Sequence, residues 1–197
     1  MTKIVAITGG IGSGKTTISK YLKKNNFAVH EADTAVSQLY IKPNKLFLSF
    51  LKKNVSKEVV TRNKIDKQKI SEIIFNDKKI KQKLENYIHK EVKKSRESFV
   101  KKNIKNKKNL IFVDIPLLFE TGLDKEMDKT VCVFTSARNQ IERLKKRNDN
   151  SDNYYKELIS KQMPSEEKCK LSDFTIETTS HEKVEEKVLE ILNMLRV

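Results

Sequence analysis

Gly9-Gly10-Ile11-Gly12-Ser13-Gly14-Lys15-Thr16 holds four of the chain's five glycines and fits the pattern G-x-x-x-x-G-K-[ST] at every fixed position. Residues without a side chain let successive backbone N–H groups curl around a polyphosphate, and glycine reaches the φ angles this requires. Lys15 is then placed to reach the terminal phosphates, and the Thr16 hydroxyl to ligate Mg²⁺. The flanks supply the context that the motif needs. Lys3 to Thr8 is a short, apolar, β-branched run that reads as a buried parallel strand. Thr16 to Asn25 carries Ile18, Tyr21 and Leu22 at helical spacing, with lysines on the other face. Strand, loop and helix follow in the order that aims a helix N-terminus at phosphate. Nucleoside triphosphate binding is the implication.

The 197 residues suffice for one full core, and the formal charge of +15 raises the question of a polyanionic partner. Only six of the 41 basic residues are arginine, and the lysines are spread over helix faces and ends. That distribution reads as a Lys/Asn bias rather than a nucleic-acid groove, although a positive field helps gather anionic substrates. Cys132 and Cys169 lack metal-like spacing, and Cys132 lies in an apolar run, which predicts a buried thiol. His30, His89 and His181 form no ligand cluster in the sequence. No apolar run approaches bilayer length, so the expectation is a soluble cytoplasmic protein with no membrane partner.

Further strands are predicted at Phe27 to His30, Leu110 to Val113, Thr130 to Phe134 and Phe174 to Ile176. Between Thr34 and about Lys105 the pattern is nearly all helical. Ile80, Leu84, Tyr87, Ile88, Val92 and Phe99 trace one stripe, and Asp66 is a candidate cap for a shorter helix with Ile70, Ile73 and Ile74. Ser136 is a candidate cap for a helix that turns Ile141 and Leu144 inward. Helices follow over Tyr154 to Gln162 and from Pro164, and Thr179-Ser180-His181-Glu182 fits a capping box for the last one. Alternating strands and helices predict an α/β fold, a doubly wound parallel sheet with a long helical insertion. Ligands in such folds bind beyond the strand C-termini, which gathers Asp33, Asp114 and the glycine loop near one crevice.

Phosphoryl transfer to a hydroxyl needs a group to orient or deprotonate the acceptor, and cations to neutralise charge. Asp33 follows the second strand and is a candidate for the acid–base role; capping the next helix is its competing reading. Asp114 ends the strand from Leu110 and is either a Mg²⁺-supporting carboxylate or a strand-end turn residue. Arg143 and Arg147 are four apart and share a side of one helix, as a phosphate clamp or as a solvated face. Asn63-Lys64-Ile65-Asp66 matches the N-K-x-D signature that GTPases use for guanine. The only glycine after the loop is Gly122, however, and Phe119 stands three residues before it, so the D-x-x-G partner motif is missing.

Thr8 to Thr16, Ala32-Asp33, Ile115-Pro116-Leu117-Leu118-Phe119-Glu120 and Gln140 to Arg147 together resemble the dephospho-coenzyme A kinases. The resemblance continues through Gln162-Met163, Glu167-Lys168 and Ser172-Asp173-Phe174, and so covers nearly the whole chain. It implies a P-loop NTPase-type core over about 1–33, 106–137 and 165–197. A helical substrate-binding region over about 34–105 and a lid over about 138–164 complete the expected single domain. It implies transfer of the γ-phosphate of ATP to the ribose 3′-hydroxyl of dephospho-coenzyme A, a small-molecule partner, and a monomer or weak homo-oligomer. Asp33, Lys15 and Arg143 would be catalytic, with Asp33 as base and Arg143 in the lid. Gly10, Ile11, Gly12, Ser13, Gly14, Lys15, Thr16, Thr17 and Arg147 would contact the nucleotide, and Thr16 and Asp114 the Mg²⁺. The chain departs from the family pattern at Glu31, Ser37, Lys90 and Thr178, and Thr178 falls near the expected adenine pocket.

Two other readings remain in view. A nucleoside monophosphate kinase shares the loop, core and lid, but has no evident need of the Ile115–Glu120 segment. A nucleotide-dependent nucleic-acid-binding protein accounts for the charge, but few arginines, few aromatics and no recognisable binding module support it.

Overall fold

The residues from Lys3 to Thr8 form β1 (Lys3–Thr8) because each face of that strand meets apolar neighbours. Val5 and Ile7 enter one core cluster and Ala6 the opposite one, following the two-residue period of a strand. A computed structural model describes residues 1–146 and 151–195, with only the backbone of His181. The chain divides into two compact units, Met1–Glu31 with Val100–Val197, and Ala32–Phe99.

In the first unit, β1 is followed by α1 (Lys15–Lys24) and β2 (Ala28–Glu31). After the second unit come β5 (Leu110–Asp114), β6 (Lys129–Phe134), α6 (Ala137–Lys145), α7 (Asp152–Ser160), α8 (Ser165–Leu171), β7 (Phe174–Glu177) and α9 (His181–Leu195). Among the described residues these strands make one parallel five-stranded sheet in the order β2-β5-β1-β6-β7. Ile18 and Leu22 of α1 and Val184, Val188, Ile191 and Leu192 of α9 cover one face, over Val5, Ile7, Phe112, Val131, Val133 and Ile176. Ala6, Val113, Ile115 and Leu118 form a smaller cluster on the other. The register sets Asp114 beside both Ile7 and Glu31, and Thr8 beside Cys132. The strand C-termini therefore share one edge, from which the glycine loop departs.

The second unit contains α2 (Ala32–Ile41), α3 (Lys45–Asn54), a hairpin of β3 (Val60–Thr61) and β4 (Lys64–Ile65), α4 (Lys67–Asn76) and most of α5 (Lys78–Lys105). Its core gathers Phe47, Leu51, Val59, Ile70 and Leu84, with Tyr87 stacked on Phe50 at 4.2 Å between ring centroids. Asn44 caps α3 and Asp66 caps α4, each accepting the backbone N–H three residues on. Arg62 and Asn63 both have positive φ, as a two-residue hairpin turn of this hand requires. Asn63 and Asp66 of the N-K-x-D match thus have structural work, in the turn and at the cap.

Several boundaries moved. Residues 57–61, inside the stretch that reads as nearly all helical, form a short 3₁₀ turn and β3. α7 starts at Asp152 because Ser151 accepts the Tyr154 N–H. Ser180, not Thr179, caps α9 by accepting the Lys183 N–H. In α6 the buried residues are Gln140 and Leu144, while Ile141 is half-buried.

Candidate functional site

The glycine loop leaves β1 against the neighbouring strand. A Cβ on Gly9, at φ +143°, would lie 2.1 Å from the Val133 carbonyl oxygen of β6. Here glycine answers both a backbone angle and a close approach. Gly14 precedes α1 and provides no side-chain cap, the arrangement in which first-turn N–H groups and the helix dipole serve an anion. The Lys15 ammonium donates to the carbonyls of Gly9 and Gly10, at 2.9 and 3.0 Å. Ser13 Oγ is buried without a hydrogen-bond partner among the described residues. A cradle closed to side chains, a lysine across its mouth and an orphaned hydroxyl fit a polyphosphate.

Two glutamines hold the middle of the loop. Gln140 Nε2 donates to the Ile11 carbonyl at 2.8 Å, and Gln162 Oε1 accepts the Ile11 N–H at 2.8 Å. Gln140 is only 3% exposed, and a Cβ on Gly10 would sit 2.7 Å from its Nε2. At Gly10, whose φ is not positive, a Cβ would therefore push the Gln140 amide aside rather than strain the backbone. Each contact is one buried hydrogen bond, so Gln140→Ala and Gln162→Ala should each lower kcat/KM for ATP by roughly 3- to 10-fold. The double variant should fall short of the product, because both act on Ile11. Steady-state kinetics over an ATP series checks this.

Arg143 lies on the outer side of the loop. Its Nη1 donates to the Gly12 and Ser13 carbonyls, both at 3.2 Å, and to Thr178 Oγ1 at 2.8 Å, while Nη2 donates to the Thr178 carbonyl. Thr178 Oγ1 in turn donates to the Ser13 carbonyl at 2.6 Å. The departure at Thr178 is therefore a hydroxyl that fastens the end of β7 to the loop. Gly14, Thr17, Arg143, Lys146, Thr178, Thr179, Ser180 and Val184 line a cavity of about 420 Å³ beside this lock. Arg147, expected beside the nucleotide, lies outside the described residues.

Asp114, the last residue of β5, is buried at the strand-end edge, and the Thr16 hydroxyl is in the first turn of α1. Both are hard oxygen donors of the kind Mg²⁺ takes alongside substrate phosphates. Asp33 is the second residue of α2, inside the helix rather than before its first residue, where a capping side chain sits. It follows the end of β2 by two residues.

The Ile115–Glu120 segment is anchored from below. Leu118 is fully buried, and Lys168 of α8, also 0% exposed, donates to the Pro116 carbonyl at 2.7 Å and pairs with Glu120 at 2.8 Å. Burial alone would raise the Glu120 carboxyl. Hydrogen bonds from Lys168 and from backbone N–H groups, including that of Met163, outweigh it and hold the group below the usual carboxylate range. A lowered folded value means that the pairing stabilises fully above about pH 4.3, the unfolded value, and is lost as pH falls through the folded one. Glu120→Gln should therefore cost about 1–3 kcal/mol at neutral pH, and the difference from the parent should shrink below about pH 4. Urea melts across pH measure it.

That the glycine loop, Lys15, Thr16 and Asp114 stand at the strand C-termini was legible in the sequence. Gln140, Gln162, Lys168 and the lock of Arg143 on Thr178 were not assigned these roles. Gln140 and Gln162 stood inside family-like segments, and that was their one signal.

The sequence model for dephospho-CoA kinase matches residues 3–183. A dephospho-CoA kinase of Oceanobacillus iheyensis is 34% identical over 197 residues, covering 100% of this chain and 98% of that protein. One of Fusobacterium nucleatum is 34% identical over 181 residues, covering 90% of each. The solved dephospho-CoA kinase of Campylobacter jejuni superposes with a TM-score of 0.73 at 25% identity, covering 99% of this chain and 98% of that one. A shikimate kinase of Aquifex aeolicus, with a TM-score of 0.53 at 16% identity, shares the fold alone. With a phosphate cradle at the sheet edge and matches along almost its whole length, this chain belongs to the dephospho-CoA kinase family.

Proposed function

We propose that this enzyme transfers the γ-phosphate of ATP to the ribose 3′-hydroxyl of dephospho-coenzyme A, giving coenzyme A and ADP. The loop from Gly10 to Thr17 holds the triphosphate, with backbone N–H groups on the phosphates and Lys15 turning from the loop carbonyls to the γ-phosphate. The 3′-oxygen attacks the γ-phosphorus as the bond to the β,γ-bridging oxygen breaks, and Asp33 accepts the hydroxyl proton. Thr16 and Asp114 would hold Mg²⁺, which when bound supplies charge neutralisation on the phosphate oxygens. Positioning and charge neutralisation carry most of the acceleration. Arg143 acts in this proposal by fixing the loop, and the cavity from Gly14 to Val184 receives the adenine base. Arg147 is proposed as a further phosphate contact.

The observation that carries the donor half is the cradle, with its clash-limited Gly9, its uncapped α1 and Lys15 at its mouth. The acceptor half rests on the family match. We also propose a cytoplasmic setting and a monomer or weak homo-oligomer that works on its small-molecule substrate without nucleic-acid or membrane partners. No helix among the described residues is long and apolar enough to cross a membrane. ADP release measured with dephospho-coenzyme A, with nucleoside monophosphates and without acceptor tests the reading. Turnover only with dephospho-coenzyme A is expected; turnover with a monophosphate instead would overturn it.

A further inference from the structure

Cys132 and Cys169 are free thiols whose sulfurs stand 3.0 Å apart, about 1 Å beyond an S–S bond of roughly 2.05 Å. They come from different elements, β6 and α8, 37 residues apart in sequence. Cys132 is fully buried on an inner strand, while Cys169 is partly accessible. The fully buried Lys168 ammonium precedes Cys169 in α8. We propose that this pair is a dithiol redox site, which a low-molecular-weight disulfide oxidises to an intramolecular disulfide that slows the kinase.

The accessible thiol reacts first. Cys169, as its thiolate, attacks one sulfur of RSSR, forming Cys169–S–SR and releasing RS⁻, which takes up the proton that Cys169 gave to solvent. Cys132 then attacks the Cys169 sulfur, the bond to SR breaks, and the Cys132 proton leaves with the second RSH. The balance is two protein thiols oxidised and one RSSR reduced to two RSH, with no other reactant. Burial pushes the Cys132 thiol up, and Cys169 beside it adds to the rise, while the charges of Lys168 and Lys15 pull the other way. Cys132 is thus a poor first nucleophile and is placed as the resolving thiol.

The consequence follows from what α8 holds. Cys132 is fixed by strand pairing on both sides, to Thr8 of β1 and Thr175 of β7, so closing the gap falls to α8. Through Lys168, α8 grips Pro116 and Glu120, and the segment just before it carries Gln162, which holds the Ile11 N–H. At the helix start, Ser165 Oγ is 3.6 Å from where a Gly10 Cβ would sit. A shift of α8 toward β6 therefore acts on the loop that positions the triphosphate. Displacements near 1 Å in such positioning groups can cost up to about 100-fold in rate.

The test incubates the full chain with excess glutathione disulfide, then reads intact mass and ADP production from the same sample. This readout of rate rests on the proposed kinase reaction, whereas the mass does not. If the reduced enzyme shows no turnover, it is the kinase reading that fails, and the mass still decides whether the disulfide forms. The expected result is loss of two hydrogens with no retained glutathione, and turnover lowered roughly tenfold and restored by dithiothreitol. Cys169→Ser should match the reduced parent's turnover and, unlike the parent, keep that turnover in glutathione disulfide. Two thiols left unreacted, a stable glutathione adduct without ring closure, or a disulfide form with the reduced enzyme's rate would each overturn the proposal.

Discussion

Asp33→Asn is expected to lower kcat by roughly 10²-fold or more, while the KM for ATP changes little. The substitution keeps size and hydrogen-bonding reach but removes the carboxylate proposed to accept the 3′-hydroxyl proton. Its effect on stability should be small. Asp33 sits within the first turn of α2, where a carboxylate gains about 0.3–1 kcal/mol from the helix dipole, and it is not at the capping position. The two competing roles therefore separate in one pair of measurements. A base predicts a large loss of turnover with a nearly unchanged thermal midpoint. A structural carboxylate predicts a lowered midpoint with kcat close to the parent's, and that result would remove Asp33 from the chemistry.

Gly9→Ala should be the most damaging single methyl that the nucleotide loop can receive. The added carbon would lie 2.1 Å from the Val133 carbonyl oxygen and 2.9 Å from Ser13 Oγ, at a φ of +143° that an L-residue rarely adopts. The Val133 oxygen cannot yield cheaply, because β6 is paired to β1 and β7. Backbone strain and overpacking together should cost about 2–4 kcal/mol. That corresponds to a fall of roughly 5–15 °C in Tm for a chain of this size. Gly122→Ala is the control, since φ is again positive (+66°) but a Cβ there meets nothing within 4 Å. It should cost about 1–2 kcal/mol, the strain alone. Equal shifts for the two variants would mean that the contact with Val133 contributes nothing.

The parts of the fold that were legible in the sequence are those set by local pattern. β1, the glycine loop and α1 follow one another within about twenty residues, and each has its own signature: a β-branched apolar run, clustered glycines and a helical stripe. β5 and β6 were legible for the same reason, as short apolar runs ending in Asp114 and Phe134. The contacts that shape the site are of another kind. Gln140 and Gln162 reach Ile11 across 129 and 151 residues, while Arg143, from the same helix as Gln140, and Thr178, just past β7, close on Ser13. A polar side chain that serves a distant backbone group leaves no periodicity, and at position 140 the helical pattern favoured Ile141 as the inward residue. Lys168 stood in a family-like segment, but as one lysine among many nothing in the pattern marked it as the fully buried one that carries the 116–120 segment. The N-K-x-D tetrapeptide shows the converse. A guanine-binding signature appeared where a hairpin turn and a helix cap call for the same residue types.

Transfer from ATP to the ribose 3′-hydroxyl is distinguished from every other outcome by the fate of the γ-phosphate. The full chain is incubated with γ-labelled ATP, Mg²⁺ and dephospho-coenzyme A, and the products are separated and mapped. One label on the ribose 3′-oxygen of coenzyme A is expected for each ADP formed. Label recovered as inorganic phosphate, or at any other position of the acceptor, would contradict it.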